Sequence, residues 1–339
     1  MELNNTDPNS TDWYDGGYAE NPVINFTIAV SVAIALCLVG MAGNIIVFWH
    51  LSFKIKRNKY TVYIINLVAA DLIFLTFTAI LMALHIYSLN GPDIFSTTSY
   101  LNCHRFVEIC YKSSQYSGMF FLTAISLERC LSVFFPMWYH FHRPKNQSSI
   151  TCFLLWITGF AQSLIESFVC PPEELIPQTK NCTGVKLMTF IIAIGVCLPL
   201  MVLSSLTLLI NIKRTFKDQY PSKLYIIIIV AVIVFILSVM PLHILWLLMY
   251  FKLFPLDVYP MGLFYATVYV TGLNSTLNPY IYFVVGKQWK QKSHHSIHDI
   301  LQRAFADDGE IKGERKISQS NEANISSCQT QNSDMERQS

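Results

Sequence analysis

The chain alternates between long apolar runs and short polar linkers. Seven runs each reach the roughly 20 apolar residues that a helix needs to cross a hydrocarbon core about 30 Å thick. They cover residues 25–51, 60–88, 101–134, 149–170, 186–212, 223–251 and 258–285. This pattern predicts an all-α membrane protein, with a bundle of seven transmembrane helices over residues 25–285. After Gly286 the pattern changes. Ile297, Ile300, Leu301 and Phe305 recur at helical spacing with cations between them. That predicts a short amphipathic eighth helix over 286–306, lying on a membrane face. Residues 1–24 contain no apolar core and read as a polar tail. Residues 307–339 are rich in Ser, Asn, Gln and Glu with few aliphatics, a composition that cannot bury enough apolar area to fold and reads as disordered.

Polar residues interrupt the apolar runs at particular places. Such residues are costly in hydrocarbon and usually functional. The first run holds Gly43-Asn44, the second Asn66 and Asp71, and the third ends in Glu128-Arg129-Cys130. Trp156 lies in the fourth, Pro199 in the fifth and Pro241 in the sixth. The seventh holds Asn274 and Asn278-Pro279-Tyr280-Ile281-Tyr282. Asp71 has no Lys or Arg in its own run, so it needs a cation, a proton or polar partners. Asn44, Asn274 and Asn278 are the candidates. Glu128 precedes Arg129 and is expected to pair with it at rest. Pro241 and Pro279 each remove a backbone donor and clash with the preceding turn, so each is expected to kink its helix.

Composition supports the membrane reading. The chain of 339 residues is 53% hydrophobic and 14% charged, where a soluble protein carries about 25% charged residues. The net charge of +2 suggests no nucleic-acid partner. Cations are unevenly placed, and this sets orientation. With the N-terminus outside, the inner segments carry Lys54, Lys56, Arg57 and Lys59; Arg143 and Lys145; Lys213, Arg214, Lys217 and Lys223; and Lys287, Lys290 and Lys292. The outer segments carry only Lys180, Lys186 and Lys252. The expected arrangement is multi-pass in the plasma membrane, with an extracellular N-terminus, a cytoplasmic C-terminus and the lipid bilayer as solvent. Sequons agree: Asn4, Asn9 and Asn25 begin N-x-T patterns on the outer side and are expected glycosylation sites. Asn181 begins a fourth, beside Cys182. No cleavable signal peptide is read, because the first 24 residues have no Lys or Arg and no apolar stretch. The nine cysteines show no zinc-type spacing, and no metal site is expected from them.

One residue set per helix, in this order, resembles the class A, rhodopsin-like G-protein-coupled receptors over about residues 25–305. The resemblance implies roles. Asp71 would lie with Asn44, Asn274 and Asn278 in a polar cluster that takes Na+, the only cofactor-like ion implied. Gly118 stands where many relatives place a serine ligand. Arg129 would leave Glu128 to meet a heterotrimeric G protein, while Asn278, Pro279 and Tyr282, with Pro241 in the sixth helix, would form the moving elements. An arrestin is the other expected cytosolic partner.

Further residues are similar to the Mas-related branch of that family. They include Leu122–Val133, Trp138-Tyr139, Arg143-Pro144-Lys145, Ser222-Lys223-Leu224-Tyr225 and Arg303-Ala304-Phe305. Most class A receptors carry Cys-Trp-x-Pro in the sixth helix; here it is Ser238-Val239-Met240-Pro241, without the large tryptophan. Most class A receptors also bridge the outer end of the third helix to the second outer loop. The Mas-related branch can instead bridge the end of the fourth helix to that loop, and Cys170 and Cys182 match this pattern. Cys103 with Cys182 is the rival pair, and Cys170–Cys182 is the expected one.

The resemblance also bears on the ligand. Gly272 lies near the place of a retinal lysine, and Tyr111 stands where amine receptors have an aspartate. Glu166, one turn before Cys170, matches the acidic contact for basic ligands in Mas-related receptors. A second acid of that branch is replaced by Lys186. Glu108 and Lys112 are a favourable i,i+4 pair and also candidates for the ends of a zwitterion. Trp246, Tyr250, Phe264, Tyr265 and Tyr269 supply rings near the outer halves of the last two helices. The implied function is a receptor for an extracellular peptide or small charged ligand that activates Gq/11 or Gi. The alternative is a ligand-less receptor acting by constitutive activity or heterodimerisation. A channel or transporter would need a continuous polar path or inverted repeats, and an enzyme is not expected.

Overall fold

A computed structural model describes residues 22–55, 57–90, 97–144, 146–170, 179–215, 223–251, 260–287 and 296–305. The expected glycosylation sites Asn4 and Asn9, the side chains of Asn25, Tyr250 and Phe264, and the tail 307–339 lie outside the described residues. The helices are α1 (Pro22–Trp49), α2 (Thr61–Asn90), α3 (Thr97–Phe134), α4 (Pro136–Phe141), α5 (Gln147–Val169), α6 (Lys180–Phe190), α7 (Leu198–Thr215), α8 (Lys223–Tyr250), α9 (Pro260–Gly286) and α10 (Ile297–Phe305). A π-helical segment, Ile191–Cys197, joins α6 to α7 into one continuous fifth span. A second π turn, His50–Lys54, ends the first span.

Among the described residues six stretches are long and apolar enough to cross a bilayer. The seventh span is α9, 27 residues long, packed between α1 and α8. α3 sits centrally, against α2, α5 and α7. Large apolar side chains point away from the bundle: Phe168 is 74% exposed, Leu237 73% and Phe153 65%. A bundle in water would turn such residues inward. Here the outward solvent is lipid, and several polar groups occupy the interior instead, among them Asn44, Asp71, Glu128, Arg129 and Glu166.

With no hydrophobic drive between helices in lipid, close approach depends on small residues. Gly159 of α5 shows this: a Cβ there would run into Ser117 Oγ and the Ser113 carbonyl of α3. Gly286 plays the same part for α10, since a Cβ would strike the carbonyl of Ile300.

Three local features differ from the sequence expectation. The fifth span starts at Lys180, six residues before the predicted 186, because Thr179 caps it by accepting from the Cys182 amide. Cys182 therefore lies in the first turn of a helix and not in a loop. Its π segment directly precedes Leu198-Pro199; proline lacks an amide and crowds the residue four before it, and a wider turn relieves that crowding. Finally, α4 forms in the linker between α3 and α5, where Pro136 takes the first helical position at which its missing amide costs nothing.

Candidate functional site

At the end of the bundle that carries the disulfide, α3, α5 and α6 bring together two acids and two bases. Glu166 of α5 is 1% exposed. Lys112 of α3 lies 2.8 Å from its carboxylate and 2.6 Å from Glu108. Lys186 of α6 contacts the same oxygen of Glu166, and the Tyr116 hydroxyl donates to the other. Burying a carboxylate is expensive unless it is paired and hydrogen-bonded; three donors meet that requirement. The Lys186 side chain remains 40% exposed, against 16% for Lys112. The disulfide joins Cys170, just beyond α5, to Cys182 in α6. It fixes the elements that carry Glu166 and Lys186. Cys103 is a free, exposed thiol, so the rival pairing is not formed.

The structure brings Glu108, Lys112 and Glu166 together, adding Lys186 and Tyr116. It does not bring Tyr111 to them. Adjacent residues on a helix point about 100° apart, and Tyr111 turns into an apolar cluster, 5% exposed, with its ring 5.1 Å from that of Phe74. Trp246 donates to Thr267 across α8 and α9 at 2.9 Å. Tyr265 meets the edge of His85 on α2, and Tyr269 bonds the carbonyl of Ala29 in α1.

Deeper in the bundle, Asp71 (5% exposed) accepts from Asn278 Nδ2 at 2.8 Å. Asn274 lines the same internal cavity of about 50 Å³, which Ser114, Gly118, Val239 and His243 also border. Asn44 is not a partner of Asp71. Its amide donates to the carbonyls of Gly40 and Ser275 at 3.0 and 3.1 Å, tying α1 to α9. Pro279 packs where α1 carries Gly43. Asp71, Asn274, Asn278 and the neighbouring Ser275 supply a carboxylate and neutral oxygens, a donor set that fits Na+. Gly118 contributes no side-chain oxygen.

At the opposite end of the bundle the expected Glu128–Arg129 pair is replaced. Neighbouring positions on a helix do not face each other. Glu128 accepts from Arg143 at 2.7 Å and from the Tyr63 hydroxyl at 2.8 Å. Arg143 also donates to Ser148 at 2.8 Å, and Ser148 donates to the Lys59 carbonyl at 3.0 Å. The Arg129 guanidinium lies 3.2 Å from the centroid of the Tyr60 ring, and Tyr60 stacks on Tyr139 of α4. Tyr282 is 3% exposed and meets the Phe305 ring of α10 edge-on at 5.2 Å. Pro241 faces outward on α8. Sequence reasoning missed Tyr63, Tyr60 and Tyr116, which carry no motif of their own, and did not place Arg143 as the partner of Glu128.

Comparison with known proteins is consistent with this geometry. The model of the 7 transmembrane receptor (rhodopsin family) matches residues 43–282. Mas-related G-protein coupled receptor member D of Macaca fascicularis is 33% identical, covering 84% of this chain and 86% of its own length. The proto-oncogene Mas of Homo sapiens is 33% identical over 85% of this chain and 84% of its own. Mas-related G-protein coupled receptor member A1 of Mus musculus is 34% identical over 84% and 91%. Receptors of this kind have a ligand and a G protein as partners and are not enzymes. The chain is a multi-pass membrane receptor of the rhodopsin family and belongs to its Mas-related G-protein-coupled receptors.

Proposed function

We propose that this receptor sits in the plasma membrane with its N-terminus outside, binds a peptide or small charged ligand at the Glu166 cluster, and activates Gq/11 or Gi. The observation that carries the ligand reading is the double neutralisation of Glu166. Its charge is covered by Lys112 and Lys186, so a polycation finds no uncompensated acid there. The cationic side chain a ligand meets first is Lys186, 40% exposed along its length. A carboxylate suits it, and a small zwitterion or a peptide with an acidic end fits better than a polybasic peptide.

Binding of that carboxylate weakens the hold of Lys186 on Glu166 and so biases α6 and α7 against α3. On the inner side, Arg129 leaves Tyr60 to meet the G protein, and phosphorylation of the tail recruits an arrestin. Na+ at Asp71, with Asn274 and Asn278, favours the resting state. A screen of acidic, zwitterionic and basic peptides and amino acids, read as calcium and cyclic-AMP responses, tests the assignment. Lys186→Ala is expected to lose at least about tenfold in potency toward carboxylate ligands, about 1.4 kcal/mol. Activation by polybasic peptides, with Lys186→Ala unchanged, would sink the ligand reading. Intact responses in Arg129→Ala at equal surface expression would sink the coupling reading.

A further inference from the structure

We propose that the outer ends of α2 and α3 form a binding site for a borderline transition-metal cation such as Zn2+, built on His85 and His104. The two rings lie 5.7 Å apart between centroids and are tilted by 45°. A tetrahedral zinc takes imidazole nitrogens at about 2.0–2.1 Å, which sets two ligand rings about 5 Å apart between centroids. The observed separation is within a small side-chain adjustment of that arrangement.

The surroundings favour the same reading. The Tyr265 ring stands edge-on to His85 at 6.3 Å, and the Tyr100 ring lies 6.1 Å from His104 on the other flank. Rings on both sides limit how far either imidazole can swing, and both histidines are carried by long helices. Such support is what holds a metal site to its geometry. His85 lies two residues short of the outer end of the apolar stretch Thr61–Tyr87, and both histidines are partly exposed, so a cation reaches them from the outside. Neither histidine belongs to the Glu166 cluster.

Glu108 lies one helical turn beyond His104 on the same face of α3, with its side chain 21% exposed. It can supply a third, oxygen ligand. Two histidines and a glutamate with water form a known zinc donor set, of the open kind that keeps a position for solvent. Among the described residues no three such groups are already gathered around one point. Glu108 is held by Lys112, so the core of the site is the imidazole pair, completed by water and by Glu108 when it turns. Imidazole donors select zinc, nickel and copper over magnesium and calcium. A bound ion cross-links α2 to α3, and when it takes Glu108 it removes one of the two acids that hold Lys112.

The test uses the full-length receptor purified in detergent. Its thermal unfolding midpoint is followed on titration with zinc chloride, with nickel chloride as a second probe and magnesium chloride as control. Zinc and nickel are expected to raise the midpoint and magnesium to leave it unchanged. His85→Ala and His104→Ala are each expected to weaken zinc binding by at least about 10–100-fold, the loss that removal of even an outer-shell partner causes. His85→Gln and His104→Gln, with zinc binding read by calorimetry, decide the matter where an alanine variant is unstable. Cys103→Ser and His298→Ala are expected to keep the zinc response. Absence of any zinc shift, or a shift that survives in both histidine variants, overturns the proposal and leaves the two rings a packing pair only. Loss of the shift in Cys103→Ser but not in His85→Ala overturns it as well.

Discussion

Arg143 donates to Glu128 at 2.7 Å, while Arg129, the next residue along α3, lies 3.2 Å over the ring of Tyr60. Two cations at the C-terminal end of α3 thus have separate partners. Removing one member of a buried ion pair leaves an uncompensated charge and costs about 3–5 kcal/mol. Arg143→Ala is expected to lower stability by about that much, and the double change Glu128→Gln with Arg143→Ala to recover part of it. Thermal unfolding of the four variants of this cycle measures the coupling, and additive losses would contradict the pairing.

Tyr60 holds the guanidinium that the proposed activation requires. A desolvated cation–π contact is worth about 2 kcal/mol, which corresponds to a factor of about 30 in an equilibrium. Tyr60→Leu is therefore expected to raise basal signalling, by up to about 30-fold. Basal calcium and cyclic AMP, at matched surface expression, are the readouts; a silent Tyr60→Leu variant would show that the ring does not restrain Arg129.

The bridge between Cys170 and Cys182 closes a short loop of 12 residues' separation, and such a bridge contributes about 2–4 kcal/mol. Cys182→Ser and Cys170→Ser are expected to reduce surface expression equally, and the double variant no further. Cys103→Ser is expected to leave it intact. Antibody staining of unpermeabilised cells distinguishes these outcomes.

For the polar cluster, sodium is expected to stabilise the purified receptor more than potassium or choline does. Asp71→Asn keeps the hydrogen-bonding shape and removes the charge, so it is expected to abolish that difference. Equal unfolding midpoints for the wild type in all three chlorides would remove Na+ from the account.

Phe305 is 1% exposed, its carbonyl accepts from Asn58 at 3.2 Å, and its ring abuts Tyr282. Truncating a buried phenylalanine costs about 3–5 kcal/mol. Phe305→Ala is expected to release α10 and to expose its amide protons, so hydrogen exchange over Ile297–Phe305 checks it against the rest of the bundle.

Much of the fold was legible because a bilayer imposes a length and a composition on every span. The run 101–134 ends where α3 ends, at Phe134, and the run 223–251 ends within a residue of α8. The fifth span was misjudged at Lys180 because Lys180, Asn181 and Thr183 are polar; the cap on Thr179 and the bridge at Cys182 outweigh that polarity. Asp71 was legible because a lone carboxylate is costly in an apolar run, and Glu166 because the family resemblance pointed to it. Their partners were less so. Tyr111 and Lys112 are neighbours in sequence, yet only the helical phase decides which of them faces Glu166. Asn44 was assigned to Asp71 on polarity, but a carbonyl on α9 lies nearer its amide. His85 and His104 meet only because α2 and α3 pack side by side, which no spacing along the chain reveals.

The π segment Ile191–Cys197 has a consequence for timing between the two faces of the receptor. An α-helix turns about 100° per residue, and a π turn holds one residue in excess of that register. Lys186 lies before the segment; Met201, Ser204, Ser205 and Leu208, all buried, lie after it. Their relative phase is thus set by seven residues and not by the helix as a whole. Removing Gly195 is expected to close the excess turn into regular α-helix, with Lys186 on one side and the buried residues on the other keeping the faces they hold now. The π segment is thus where the fifth span takes up one extra residue without turning one half against the other.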